Sequence, residues 1–92
     1  MKRPYAIIFK PSVSKDIRHI PNADLALIRS RIEALGQDPF PTGVKPLSGY
    51  DYYRIRVGQY RVIYEVLAKV LVIMVIGIGH RKDMYRKIRR LR

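Results

Sequence analysis

The chain contains no cysteine, which excludes disulfides and thiolate metal sites and fits a reducing compartment. Its two histidines and seven acids form no cluster, so no metal centre and no cofactor is expected. The sequence lacks a glycine-rich phosphate loop, a Ser/His/Asp order, paired carboxylates, an internal repeat and a linker. Long apolar runs are missing too. Tyr5 to Phe9 is shorter than the apolar stretch of about 7–15 residues in a secretory signal, and no such signal is expected. Val70 to Gly79 falls well short of the ~20 residues of a membrane helix and reads as a buried strand. A cytoplasmic location is expected.

Against seven acids stand nineteen Lys and Arg, a net charge of +12 on 92 residues. That length suits one domain spanning residues 1–92, with a single core and little reserve stability. Such a dense positive field attracts polyanions: nucleic acid, an anionic membrane surface or an acidic protein.

Hydrophobic periodicity gives the order of elements. Tyr5 to Phe9 is β-prone. Ser12 is placed to cap a short helix with Val13, Ile17 and Ile20 on one face, ended by Pro21. Asn22 is a candidate N-cap for a second helix, with Leu25, Ile28, Ile32 and Leu35 at helical spacing and a stop at Gly36. The prolines and glycine of Asp38 to Gly43 mark a loop. Three β-prone runs follow, Tyr52 to Val57, Tyr60 to Leu67 and Val70 to Ile78, joined by Gly58-Gln59 and Ala68-Lys69. Two-residue loops point to hairpins, and Gly at the first loop position suits a type II′ turn. Lys82 to Arg92 carries Met84, Ile88 and Leu91 on one face amid basic residues, the pattern of a short helix. The expected fold is α+β, in the order β-α-α-β-β-β with a short C-terminal helix. Two N-terminal helices pack on one face of a four-stranded, mainly antiparallel sheet.

Folding the first hairpin about Gly58-Gln59 sets Val57 opposite Tyr60, Arg56 opposite Arg61, Ile55 opposite Val62 and Arg54 opposite Ile63. Alternation then assigns Tyr53, Ile55, Val57, Tyr60, Val62, Tyr64 and Val66 to one apolar face, which belongs against the helices. The other face gathers Arg54, Arg56 and Arg61, with Glu65 as a partial counter-charge. Like charges facing each other on a sheet are destabilising. A phosphate cradle explains the cluster, because guanidinium groups match phosphate geometry with paired donors. The plainer alternative is an ordinary wet face with charged residues.

After the last strand come His80, Arg81 and Tyr85. Histidine suits proton transfer near neutral pH, and tyrosine can donate a proton or stack on a base. Arg81 and Tyr85, four apart, share a face if a helix begins here. His19 reads as a surface residue near a helix C-terminus.

Three segments carry a family resemblance: Leu47 to Tyr50, Tyr53 to Val66, and Val75 to Tyr85. Together they resemble the RelE branch of the RelE/ParE toxin superfamily, and the element order before Leu47 matches as well. The resemblance implies the toxin of a type II toxin–antitoxin pair. It implies a ribosome-dependent mRNA endonuclease that works in the A site without a metal. The ribose 2′-hydroxyl attacks the adjacent phosphorus, leaving a cyclic phosphate and a free 5′-hydroxyl. The implied partners are a cognate antitoxin protein, the ribosome with its rRNA, and mRNA.

By position, Arg54 and Arg56 match the family's paired basic residues on the second strand. Arg61 and Arg81 match its phosphate-contacting arginines, and Tyr85 matches its C-terminal tyrosine. The best-known relatives carry lysines where Arg54 and Arg56 stand. Arginine stays protonated in proteins, so the proton-transfer role passes to His80, with Tyr85 as acid or stacking platform. The apolar stripe Met84, Ile88 and Leu91 in its basic rim suits either packing back on the sheet or an antitoxin segment that is apolar and acidic. The superfamily resemblance leaves a second reading, a toxin of the ParE type, which binds DNA gyrase, and a charge of +12 with seven tyrosines suits a third, a non-catalytic RNA-binding protein.

Overall fold

The computed structural model of the chain describes residues 4–47 and 51–80. Strand β1 (Ala6–Phe9) leads into helix α1 (Val13–Asp16) and helix α2 (Asn22–Leu35). Strands β2 (Lys45–Pro46), β3 (Tyr53–Val57), β4 (Tyr60–Leu67) and β5 (Val72–His80) follow. They form one five-stranded sheet in the order β1-β5-β4-β3-β2. β1 runs parallel to β5, and all other pairings are antiparallel.

The expected sheet therefore gains a strand. β2 is only two residues long, and one of them is Pro46, which cannot donate to a ladder and hides the strand from any β-pattern. The β4–β5 connection is also longer than two residues. A 3₁₀ turn spans Ala68–Val70, and Leu71 takes a left-handed conformation at φ 54°. The C-terminal helix expected over 82–92 lies outside the described residues.

The β3–β4 hairpin has the expected register, from Val57 opposite Tyr60 to Arg54 opposite Ile63. Gly58 supplies φ +61° while Gln59 has no positive φ, as a type II′ turn requires. The apolar face packs on the helices as alternation dictates. Ile55, Val57, Val62, Tyr64, Ile73, Val75 and Ile78 join Val13, Ile20, Ile28, Ile32 and Leu35 in the main core. Each such aliphatic side chain removed from water contributes roughly 1.5–3 kcal/mol before entropy is counted.

The helix ends differ from expectation. Pro21, not Asn22, occupies the N-cap of α2, and neither helix has a side-chain cap bond. Gly36 ends α2 in a right-handed conformation, φ −61°, so it is not there for a left-handed cap. A Cβ at Gly36 would lie 3.0 Å from the Tyr5 carbonyl oxygen. Glycine instead lets the helix end reach β1, where the Tyr5 N–H donates to the Gly36 carbonyl at 2.7 Å.

One irregularity decides what the far sheet face presents. In the β4–β5 pair, Ile63 faces Gly77 and Tyr64 faces Val75, so Ile76 is an extra residue in β5. The bulge reverses the phase of everything after it. Ile78 turns into the helix-side core, whereas Ile76 joins Ile63 in a small second cluster on the other face. Beyond the bulge, Gly79 stands opposite Arg61, and His80 stands opposite Tyr60.

Candidate nucleic-acid interface

The sheet face turned away from the helices carries the cations. Arg56 and Arg61 are directly paired across β3 and β4. In the next row, Lys45 on β2 is paired with Arg54 on β3, which in turn faces Ile63. Cross-strand neighbours on one face have Cβ atoms about 4.5–5.5 Å apart, so both like-charged pairs are close and each opposes folding by some tenths of a kcal/mol. Arg56 and Lys45 are exposed, whereas Arg54 and Arg61 are half-buried. Glu65 belongs to the same face, four residues along β4 from Arg61 and away from the Arg56–Arg61 pair.

Beside the cations β5 has two glycines, and both are buried. Gly79 lies next to Arg61, and Gly77 lies next to Ile63. On the same face Ile63 and Ile76 are buried, with the partly buried Leu47, Tyr52 and Met74 packed against them. The result is a cationic strip, able to hold phosphates, beside a covered apolar cluster whose partly exposed members are Leu47, Tyr52 and Met74.

His80 occupies the other side. Because of the bulge, its ring shares the helix-side face with Tyr60, at a centroid distance of 6.1 Å and an edge-on angle of 79°. Its Nε2 lies 3.2 Å from Gln59 Oε1. The Tyr60 hydroxyl donates to Asp24 Oδ2 at 3.4 Å. Desolvation at this position, and then the Asp24 carboxylate, hold the Tyr60 phenol above its ordinary pKa. The geometry thus brings Arg54, Arg56 and Arg61 together and sets the His80 ring apart from them. Arg81, Tyr85, Met84, Ile88 and Leu91 lie outside the described residues.

Two features were missed at the sequence level. Lys45 joins the cationic face only through β2, which has no pattern to find. Asp16 in α1 accepts a hydrogen bond from the Ile78 N–H at 3.1 Å, tying the helix to β5 across 62 residues of sequence. β1 ends opposite Val75, so the carboxylate serves β5 just past the end of that pairing. No group of three or more His, Asp or Glu side chains placed to hold a metal ion occurs among the described residues. No helix among them is long and apolar enough to cross a membrane.

The five-stranded sheet with two helices on one face is a fold that solved RelE toxins share. It resembles the RelE–RelB complex from Pyrococcus horikoshii with a TM-score of 0.76 and 31% identity, covering 85% of this chain and 96% of that one. The isolated Escherichia coli RelE toxin shares the fold with a TM-score of 0.72 at 23% identity, over 96% of this chain and 99% of that one. A Methanocaldococcus jannaschii chain carrying the name RelE1 is 35% identical over 78 residues, 80% of this chain and 87% of its own length. Toxin RelE3 of the same organism is 31% identical over 88 residues, 86% of this chain and 93% of its own. The family model for the ParE toxin of type II toxin–antitoxin systems matches residues 7–85. The chain belongs to this toxin family, and within it is a toxin of the RelE type.

Proposed function

We propose that the protein is a ribosome-dependent mRNA endonuclease, the toxin of a pair whose antitoxin holds it inactive. The observation that carries this reading is the cross-strand pairing of Arg56 with Arg61, beside Arg54, on the sheet face opposite α1 and α2. Two unfavourable like-charge pairings in adjacent rows are explained if a phosphate normally lies between the cations. The arginines stabilise charge that builds on the phosphorane oxygens while the ribose 2′-hydroxyl attacks the adjacent phosphorus. The 5′-oxygen leaves with a proton, giving a cyclic phosphate and a free 5′-hydroxyl. By family position, Arg81 joins the phosphate contacts and Tyr85 stacks on a base or supplies the proton. His80 is the proposed proton-transfer group, and to serve on the arginine face its ring has to leave Gln59 and Tyr60.

An antitoxin partner is supported by the relatives solved as RelE–RelB complexes. A segment with an apolar stripe and acidic flanks suits the basic surface, with Met84, Ile88 and Leu91 as its proposed anchors. The ParE description of the matching family model favours one second reading, inhibition of DNA gyrase. Induction in growing cells separates the two. mRNA cleavage produces new 5′ ends clustered inside translated frames within minutes. Unchanged mRNA ends together with a loss of DNA supercoiling would support the gyrase reading instead.

A further inference from the structure

We propose that Lys45 is a fourth phosphate-contacting cation of the arginine face, and that this face holds two successive phosphates of single-stranded RNA. The inference rests on the reading of that face as RNA-binding and extends it by one strand. Lys45 is exposed, and its pairing with Arg54 puts the two side chains on the same face of the sheet. The cations therefore cross three strands, from Arg61 on β4 through Arg54 and Arg56 on β3 to Lys45 on β2. Neighbouring strands are about 4.8 Å apart, so the strip is roughly 10 Å wide, more than one phosphate group can occupy.

An edge lysine often serves only to discourage strand addition. That role is already filled on β2, because Pro46 removes a donor and the strand is two residues long. What Lys45 adds is a second like-charge pair beside the first, and that pair is unfavourable in the free protein. A backbone passing over Arg61 and on across β3 meets Lys45 at the sheet edge. The ammonium is a point charge on a flexible stem, suited to a phosphate held less rigidly than the one at the reacting bond.

The test is the salt dependence of binding to a six-nucleotide 2′-O-methyl RNA, which lacks the attacking hydroxyl. Each phosphate that a cation neutralises on a single strand contributes about 0.7 to the slope of log K against log salt. Lys45→Gln and Arg54→Gln are each expected to lower the slope by that amount, and Lys45→Arg to keep it. Lys69→Gln, on the exposed turn after β4, is expected to leave it unchanged. A Lys45→Gln slope equal to wild type, with Arg54→Gln lowered, overturns the inference while the arginine face stands. Equal lowering by Lys45→Gln and Lys69→Gln also overturns it, since binding is then diffuse. If Arg54→Gln has no effect either, the reading of the face itself fails.

Discussion

At the scale of single residues, the proposed role of the arginine face predicts effects of opposite sign on folding and on cleavage. Arg61→Ala removes a charge at the proposed reacting phosphate and should slow cleavage by about 10²-fold or more, since a preorganised charge there is commonly worth ~3 kcal/mol. It also relieves the pairing with Arg56. Thermal unfolding should therefore stay level or rise by up to a few degrees, because about 1 kcal/mol moves the midpoint of so small a domain by roughly 4–8 °C. A fall in both activity and melting temperature would mean that Arg61 is structural. His80 poses a different question, as its ring packs with Tyr60 and Gln59 on the helix side. If it transfers a proton, His80→Gln lowers the single-turnover rate roughly 10²–10⁴-fold with ribosome binding nearly unchanged. A fully active Gln variant assigns the proton steps to Tyr85.

Among the elements, β4 holds the fold together and shows how much of it the sequence discloses. Tyr64 is fully buried, and its hydroxyl donates to the Pro39 carbonyl at 2.6 Å, pinning the loop after α2 to the sheet. Tyr64→Phe strands that carbonyl and should cost about 1–3 kcal/mol, read as a drop of several degrees in thermal unfolding. Burial, and then the Asp38 carboxylate, push the Tyr64 phenol well above its ordinary value. The folded state thus favours the neutral phenol. This contribution is fully present below the unfolded pKa of about 10 and fades as pH rises above it, so Tyr64→Phe should flatten the alkaline decline in stability. The hairpin register, the apolar face and the arginine cluster were all legible, because a two-residue turn and strict alternation leave one solution. The bulge at Ile76 was not. It depends on which of two nearby isoleucines finds room in the core, a packing choice without a local signal, and it decides the face of His80. β2 was equally hidden, since two residues have no period.

For the whole molecule, a net charge of +12 draws the protein toward polyanions and also opposes its own compact state. If the antitoxin is acidic, as proposed, it relieves that repulsion, and the complex should be more stable than the free toxin, and less so at high salt. Met84→Asp with Ile88→Asp should weaken antitoxin binding strongly, while Arg54→Ala weakens it only mildly, as measured by calorimetric titration. Equal losses would mean that the antitoxin acts mainly by covering the arginine face. The central claim, cleavage of mRNA on the ribosome, is tested most directly in a reconstituted system. Purified toxin is added to ribosomes carrying a defined mRNA with an empty A site, in parallel with the same mRNA free in solution, and the product ends are identified. The account predicts a single cut in the A-site codon, a cyclic phosphate and a 5′-hydroxyl at the break, and little cutting of free mRNA. Intact mRNA on toxin-bound ribosomes would contradict it, as would equal cutting of free mRNA.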